Sequence, residues 1–248
     1  MIAVVGTPPA SATPSAVISE GSAQILQAML AATAASSDAD TVSRQFLGTP
    51  YGANTLVGSA DVPEELVIEL ERVDCFTYAD YVEALKRADT PDEFTDSLVD
   101  VRYRDGVVSF ATRKHFFTDW SATTPRLATD VTASLSDAAL DVEKNLNQKD
   151  AGGVYLPGLP VVPRTVTYVP SGAVDDSVVS RLRTGDYIGA YARDGGLDVT
   201  HVGIFVQTPD GPALRNASSK RSDNQVVDSA FYDYVATVPG LVVLRPTR

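Results

Sequence analysis

The strongest constraint on the fold of this chain is a change of sequence pattern near residue 164. Beyond it, short runs rich in β-branched and aromatic residues alternate with Gly, Asp or Pro turns, a pattern typical of strands. The predicted strands cover 164–170, 185–193, 199–207, 212–218 and 240–246, with helices at 175–183 and 229–236. The sequence TPDGPA at 208–213 predicts a hairpin between two of these strands. An antiparallel sheet is therefore expected in the last third of the chain.

Helical periodicity dominates the earlier part of the chain. It predicts helices at 22–36, 37–48, 74–88, 90–106 and 136–149, with an extended segment at 64–73 and a strand running into a loop at 107–120. Helices first and an antiparallel sheet last indicate an α+β fold. Residues 1–19, rich in Ala, Ser, Thr and Pro, are predicted to be a flexible arm, and 20–248 a single domain.

Charge and composition exclude several classes of function. The 248 residues carry a formal net charge of -12, which disfavours nucleic acid and anionic lipid as partners. One cysteine and two histidines permit neither an internal disulfide nor a Cys/His zinc site, and no metal or cofactor is expected. The sequence has no apolar run of the roughly 20 residues that a membrane helix needs. The start lacks the basic region of a signal peptide, and the compartment, exported or cytoplasmic, stays open.

Cys75 is the candidate nucleophile. It follows Asp74, a capping residue type, at the start of the helix predicted over 74–88. The positive end of a helix dipole and a nearby imidazole both lower a cysteine pKa, which favours the reactive thiolate. The alternative is structural, because a lone cysteine often serves as a small buried hydrophobe.

His201 and Asn216 are the candidate partners of this cysteine. His201 begins a strand with strong β propensity, and Asn216 lies on the strand that follows the 208–213 hairpin. Pairing around that turn brings the two residues near each other. An amide oxygen accepts a hydrogen bond from one imidazole nitrogen and leaves the other to face sulfur.

Four motifs in this order resemble those of the NlpC-type papain-like amidases of bacterial cell-wall metabolism. They are a Gly-x-Pro-Tyr loop at 48–51, Asp74–Cys75 opening a helix, Gly185–Asp186 opening a strand, and His-Val-Gly-Ile at 201–204 opening the next. A specialised branch, N-acetylmuramoyl-L-alanine amidase-like, is more similar still. It shares the Asp-Cys-aromatic-Thr sequence, the segment from Arg102 to Trp120, and the Asn-Ala-Ser-Ser-Lys segment at 216–220. This resemblance covers nearly the whole chain after residue 40.

The resemblance implies a fold, a mechanism and a set of site residues. The fold is papain-like, with the catalytic cysteine at a helix N-terminus packed on the sheet, extra N-terminal helices and an inserted segment. Cys75 attacks an amide carbonyl to give a thioester, His201 transfers the protons, and Asn216 holds His201. The implied oxyanion and substrate residues are Tyr51, Asp74, Phe76, Thr77, Arg102, Tyr103, Arg113, His115, Asp119, Trp120 and Ser218.

Phe76 indicates which bond is cut. In relatives that cleave the γ-D-glutamyl bond to the diamino acid, a serine at this position helps to bind the free amine of L-alanine. Phenylalanine weakens that recognition and favours a substrate with sugar on that side, so the expected bond joins N-acetylmuramic acid, possibly its 1,6-anhydro form, to L-alanine. Trp120 is expected to stack on sugar and Arg113 to bind a peptide carboxylate.

Two alternatives to this amidase stay open. One is the γ-D-glutamyl-diamino acid endopeptidase activity of the same superfamily. The other is a catalytically idle fold that binds muropeptides. The expected partners are soluble peptidoglycan fragments, because the acidic chain has no means of gripping a polyanionic wall, and the protein is expected to be a monomer.

Overall fold

The computed structural model of the protein describes residues 15–247. The helices within this range are α1 (Glu20–Thr33), α2 (Ala39–Arg44), α3 (Cys75–Leu85), α4 (Pro91–Arg102), α5 (Asp119–Ala122), α6 (Thr132–Leu135), α7 (Asp176–Val179) and α8 (Phe231–Val235). Side chains at the N-caps fix where the first four begin: each accepts a hydrogen bond from a backbone N–H of the first turn. In α4 a proline follows the cap, where its missing N–H costs no hydrogen bond.

The strands form two sheets of very different size. They are β1 (Val17–Ile18), β2 (Val67–Ile68), β3 (Ala128–Asp130), β4 (Leu140–Leu146), β5 (Val162–Pro170), β6 (Tyr187–Tyr191), β7 (Val199–Thr208), β8 (Gly211–Ala217), β9 (Val226–Ala230) and β10 (Gly240–Pro246). β1 and β2 pair in parallel. The larger, eight-stranded sheet is antiparallel, in the order β4-β5-β10-β6-β7-β8-β9, with β3 also paired to β10. The described chain is thus a mixed fold of helices and an antiparallel sheet.

Helix α3 packs against β7 and lies in the middle of the structure. Tyr78, Tyr81, Val82 and Leu85, the apolar stripe expected from the sequence, are fully buried. The polar side is buried as well: Glu83 is inaccessible, pairs with Lys86 and Arg87, and accepts a hydrogen bond from Tyr187. A helix enclosed on all sides and tied by such contacts holds its first residue in a fixed place.

The helix predicted at 136–149 is wrong, because the segment forms strand β4, paired with β5 over its whole length. Its charged sequence is typical of a surface helix, but Val142, Lys144 and Leu146 point to one face with the two-residue period of a strand. Lys144 is buried there, and its Nζ donates to the carbonyl oxygens of Ala192 and Asp194. Because a lysine occupies this buried position, the alternation of apolar and polar residues that identifies a strand is not visible in the sequence.

The segment 107–120 also differs from its prediction as a strand. It forms turns, with an isolated bridge between Tyr103 and Arg113, before α5 begins at Asp119. The Ser109 hydroxyl accepts a hydrogen bond from the Thr112 backbone N–H and so favours a turn. Strand β9 was not predicted at all. Of the predicted flexible arm, residues 1–14 lie outside the described residues, whereas Val17 and Ile18 form β1.

Candidate active site

The start of helix α3 carries Cys75 as its first residue, directly after the N-cap Asp74. Asp74 Oδ1 accepts hydrogen bonds from the backbone N–H groups of Phe76 (3.1 Å) and Thr77 (2.8 Å). Thr77 Oγ1 accepts one in return from the Asp74 backbone N–H at 3.0 Å. This reciprocal capping box fixes the first turn. Asp74 and the buried Thr77 therefore hold the helix start in place.

The sulfur of Cys75 lies against strand β7, where the backbone N–H of Val202 points to it. The residue is partly exposed, but burial of the thiol, followed by the charge of the Asp74 carboxylate, raises its pKa to about 11. The N–H groups of Val202, Cys75 and Phe76 oppose that shift. The sequence-based expectation of a lowered pKa was wrong, because desolvation and the adjacent carboxylate outweigh the backbone N–H groups that favour the thiolate. Cys75 is a neutral thiol at pH 7.

His201, the residue before Val202, is hydrogen-bonded to Asn216. The distance from His201 Nε2 to Asn216 Oδ1 is 2.9 Å. The Asn216 amide is oriented by its Nδ2, which donates to the Leu214 carbonyl oxygen at 3.0 Å and to Ser229 Oγ at 3.1 Å. The oxygen is thus the atom that faces His201, and it accepts from Nε2–H. In the neutral imidazole, Nδ1 then carries the lone pair that can take a proton.

Burial lowers the pKa of His201 below its ordinary value of 6.5. The hydrogen bond to Asn216 acts in the opposite direction, the Lys220 charge lowers the pKa further, and the Asp74 charge raises it. The balance keeps the imidazole neutral at pH 7, which is the state that a general base requires.

The loop around Tyr51 is tied to both halves of the site. The Tyr51 N–H donates to the Asn224 carbonyl oxygen at 2.9 Å, and the Val73 N–H donates to the Pro50 carbonyl oxygen at 3.0 Å. The loop therefore lies beside Asp74 and Cys75. Burial raises the pKa of the Tyr51 hydroxyl, and the neighbouring Cys75 and Asp74 groups act in the same direction. The hydroxyl stays protonated and is available as a hydrogen-bond donor.

Tyr234 of α8 is a neighbour of this site that the sequence did not suggest. Its ring centroid lies 6.1 Å from that of His201. Burial raises the pKa of its hydroxyl, and the Cys75 thiol group acts in the same direction. Phe231 and Val235 face the core on the same short helix. The only available signal was an aromatic run far from Cys75 along the chain.

Three of the predicted substrate residues lie in the core instead. Arg102 is 1% exposed, and its Nε donates to Asp80 Oδ2 at 2.9 Å. Tyr103 is inaccessible and donates its hydroxyl to Glu64. Trp120 is 1% exposed and packs edge-on against Phe76 and Tyr187. The expectation that Trp120 stacks on sugar was wrong, because its faces are covered by other side chains.

The remaining predicted residues fall in two places. Arg113, His115 and Asp119 line a separate cavity whose walls include neither Cys75 nor His201. Ser218 lies just past the end of β8, and its Oγ donates to Asp223 at 2.8 Å. That contact shapes the loop that leads back to Tyr51. Ser218 is buried, so the structure gives it a supporting position.

Two further features concern metal binding and membrane spans. Within residues 15–247, no group of three or more His, Cys, Asp or Glu side chains is arranged to hold a metal ion. None of the helices in the same range combines the length and apolar content of a bilayer span.

Comparison with known proteins places the chain in a family. Residues 41–241 match the AmiA-like family, described as N-acetylmuramoyl-L-alanine amidase-like. The chain belongs to this family. The crystal structure of an N-acetylmuramoyl-L-alanine amidase from Bacteroides uniformis is 28% identical, with a TM-score of 0.70, and the match covers 86% of this chain and 100% of that one. Family membership indicates a hydrolase of amide bonds.

A second solved structure is similar in fold alone. Protein LPG0564 from Legionella pneumophila is 20% identical, with a TM-score of 0.75 over 92% of this chain and 95% of its own. Comparison with curated proteins gives no match.

Proposed function

We propose that the protein is a cysteine amidase of the papain-like NlpC type that hydrolyses the amide between N-acetylmuramic acid and L-alanine in muropeptides. One arrangement carries the proposal. The Cys75 sulfur at the start of α3 meets β7 at Val202, next to an imidazole that Asn216 holds at 2.9 Å. The AmiA-like family and the Bacteroides uniformis amidase support the choice of bond.

The protons move through His201 Nδ1. Because Cys75 is a neutral thiol, His201 takes its proton as sulfur attacks the amide carbonyl. The tetrahedral intermediate collapses to a thioester, and the leaving amine takes that proton from His201. Water then attacks the thioester, gives a proton to His201, and releases a carboxylic acid. The proton returns to sulfur, so the enzyme ends each cycle as it began.

Donors for the developing oxyanion are close to the sulfur. The Cys75 backbone N–H is in the first turn of α3, where no intrahelical carbonyl accepts it. Tyr51 forms a backbone bridge with Val73, directly before Asp74 and Cys75, and its hydroxyl is the second donor in this proposal. Pre-oriented donors of this kind stabilise tetrahedral intermediates of acyl transfer.

Phe76 supports the sugar side of the proposal. Its ring packs edge-on against buried Trp120, with 6.3 Å between centroids, so its position is fixed. A fixed apolar ring beside the nucleophile offers no hydrogen bond to a free amine. It is compatible with a substrate whose L-alanine nitrogen is acylated by the lactyl group.

The decisive experiment is to incubate the protein with purified muropeptides and identify the fragments by mass. Intact stem peptide together with free disaccharide supports the amidase. Release of L-alanyl-D-glutamate would assign the endopeptidase activity instead. Cys75→Ala and His201→Ala should each abolish turnover, whereas Ser180→Ala, an exposed serine in another part of the chain, should not. Undiminished turnover by Cys75→Ala would exclude a cysteine mechanism.

A further inference from the structure

A small cavity lies beside α5, apart from the nucleophile. Its volume is about 90 Å³, and its polar walls are Arg104, Arg113, His115, Asp119 and Arg164. The apolar side is formed by Ala111, Phe116, Leu159, Pro160 and Val162, the last of which begins β5. Three guanidinium groups thus converge on one cavity in a chain whose net charge is -12.

The charges around this cavity do not balance. Arg164 Nη1 donates to Asp119 Oδ1 at 2.8 Å, and Arg113 forms an ion pair with Glu64. Arg104 donates to the carbonyl oxygen of Ala111. The cavity walls therefore carry three guanidinium groups and one carboxylate, Asp119, because Glu64 is not among the wall residues.

One donor of the wall residue Arg113 is unused. Arg113 Nε is buried and has no hydrogen-bond partner among the described residues. Nη2 of the same side chain donates to Glu64 and to the Gly58 carbonyl oxygen, and the guanidinium group lies over the Phe110 ring. A buried guanidinium N–H without an acceptor is costly. This Nε is closed off from the cavity, so a ligand oxygen reaches it only when the Arg113 side chain shifts.

The cavity is small and partly open to solvent. A volume of about 90 Å³ holds several water molecules, and a carboxylate on a short aliphatic stem fits it. The wall at Leu159, Pro160 and Val162 suits the methylene groups of such a stem.

We propose that this cavity is a carboxylate-binding subsite, which takes a carboxylate on a short aliphatic stem through the guanidinium groups of Arg104, Arg113 and Arg164. A peptide stem of the substrate and a free small carboxylic acid share this chemistry. Assignment to the substrate's own carboxylate rests on the proposed function, whereas binding of the carboxylate does not.

Binding is tested on the full chain by NMR of the arginine Nε–Hε signals, with propionate as the probe. Propionate should shift the Arg113 signal saturably, and propionamide, of nearly the same size but uncharged, should not. Arg104 is exposed, so Arg104→Gln removes its charge without leaving a buried partner unpaired, and it should weaken propionate binding roughly fivefold. Arg126→Gln removes an exposed cation outside the cavity and should leave the affinity unchanged. Equal effects of propionate and propionamide, or no saturable shift, would overturn the proposal.

Kinetics then identify the source of the carboxylate. If the substrate provides it, Arg104→Gln raises KM for a muropeptide with free carboxylates and not for its amidated analogue, with kcat retained. If KM is unchanged for both while propionate still binds, the site takes a free carboxylic acid. If the wild-type protein does not turn over muropeptides, the proposed amidase function is wrong. The NMR result on carboxylate binding is unaffected by that outcome.

Discussion

At the scale of single residues, we expect the pKa of His201 to determine where activity is lost at acidic pH. Burial lowers its pKa below 6.5, so the neutral base persists to lower pH than an ordinary histidine. Activity is lost as pH falls through that pKa. In a profile of kcat/KM for muropeptide, the acid-side midpoint should therefore lie below pH 6.5.

Lys220 offers a test of the cause, because its charge contributes to the lowering of this pKa. Lys220→Gln should move the acid-side midpoint upward. Arg221→Gln, an exposed neighbour of the same charge, should leave it in place. A midpoint above 6.5 in the wild-type protein would contradict the role of neutral His201 as the base.

The hydroxyl of Tyr234 is the second prediction at this scale. Its ring lies 6.1 Å from His201, and its environment keeps the hydroxyl protonated. If it donates to the transition state, Tyr234→Phe should lower kcat about tenfold with little change in KM. Tyr232 of the same helix is exposed and bonded to Asp176, so Tyr232→Phe is the matched control. Equal kcat values for the two variants would leave Tyr234 with a packing role only.

At the scale of elements, comparison of two N-cap residues distinguishes an effect on helix stability from an effect on the Cys75 thiol. Asp74 caps α3 at the site, and Thr90 caps α4 away from it. Asp74→Ala and Thr90→Ala should each cost about 1 kcal/mol in the free energy of unfolding, measured with urea. Asp74→Asn keeps the cap but removes the charge that raises the Cys75 pKa.

Asp74→Asn should therefore retain stability and lower that pKa, which increases the thiolate fraction at pH 8. Its rate with iodoacetamide should rise about threefold, whereas Thr90→Ala should react at the wild-type rate. A wild-type rate in Asp74→Asn would show that the carboxylate has no effect on the thiol.

The sequence predicts elements well where one face is apolar and poorly where a buried charge interrupts it. The stripe Tyr78, Tyr81, Val82 and Leu85 fixes α3, and all four are buried. In β4, buried Lys144 occupies a core position, so the alternation that identifies a strand is hidden. Composition alone cannot reveal that a lysine is satisfied by carbonyl oxygens from a segment 48 to 50 residues further along the chain.

Residue types and short motifs are enough to predict part of the site from the sequence. The His201–Asn216 contact follows from a hairpin that local turn residues define. The neighbouring position of Tyr234 and the burial of Trp120 depend on how distant elements pack, which no local pattern encodes. The pKa of Cys75 depends likewise on desolvation by the assembled fold.

At the scale of the whole molecule, a buried side chain of β8 ties helix α2 to β8 and β9. Arg215, next to Asn216, is 2% exposed and donates to Asp40 and Ser43 of α2, each at 2.9 Å. Its Nε also donates to Asp228 of β9 at 2.7 Å. Helix α2 thus covers the strand that orients His201, so the N-terminal part of the described chain supports the site.

The net charge of the whole chain predicts a response to salt that depends on substrate size. With a formal charge of -12, the protein repels an anionic polymer over a Debye length of about 30 Å at 0.01 M salt and about 10 Å at 0.1 M. Peptide release from cell-wall sacculi that carry anionic polymers should therefore rise roughly threefold between these salt concentrations. A soluble muropeptide carries few charges, so its kcat/KM should change less than about twofold.

Sacculi stripped of their anionic polymers are the matched control, and they should lose the salt dependence. If peptide release from untreated sacculi instead falls as salt rises, attraction between the polymer and the cavity arginines (Arg104, Arg113 and Arg164) outweighs the repulsion by the net charge. Screening by salt separates these two causes, because screened charges act only over a short distance. A local cationic surface attracts only a polymer chain already in contact, whereas the net charge repels the polymer during approach.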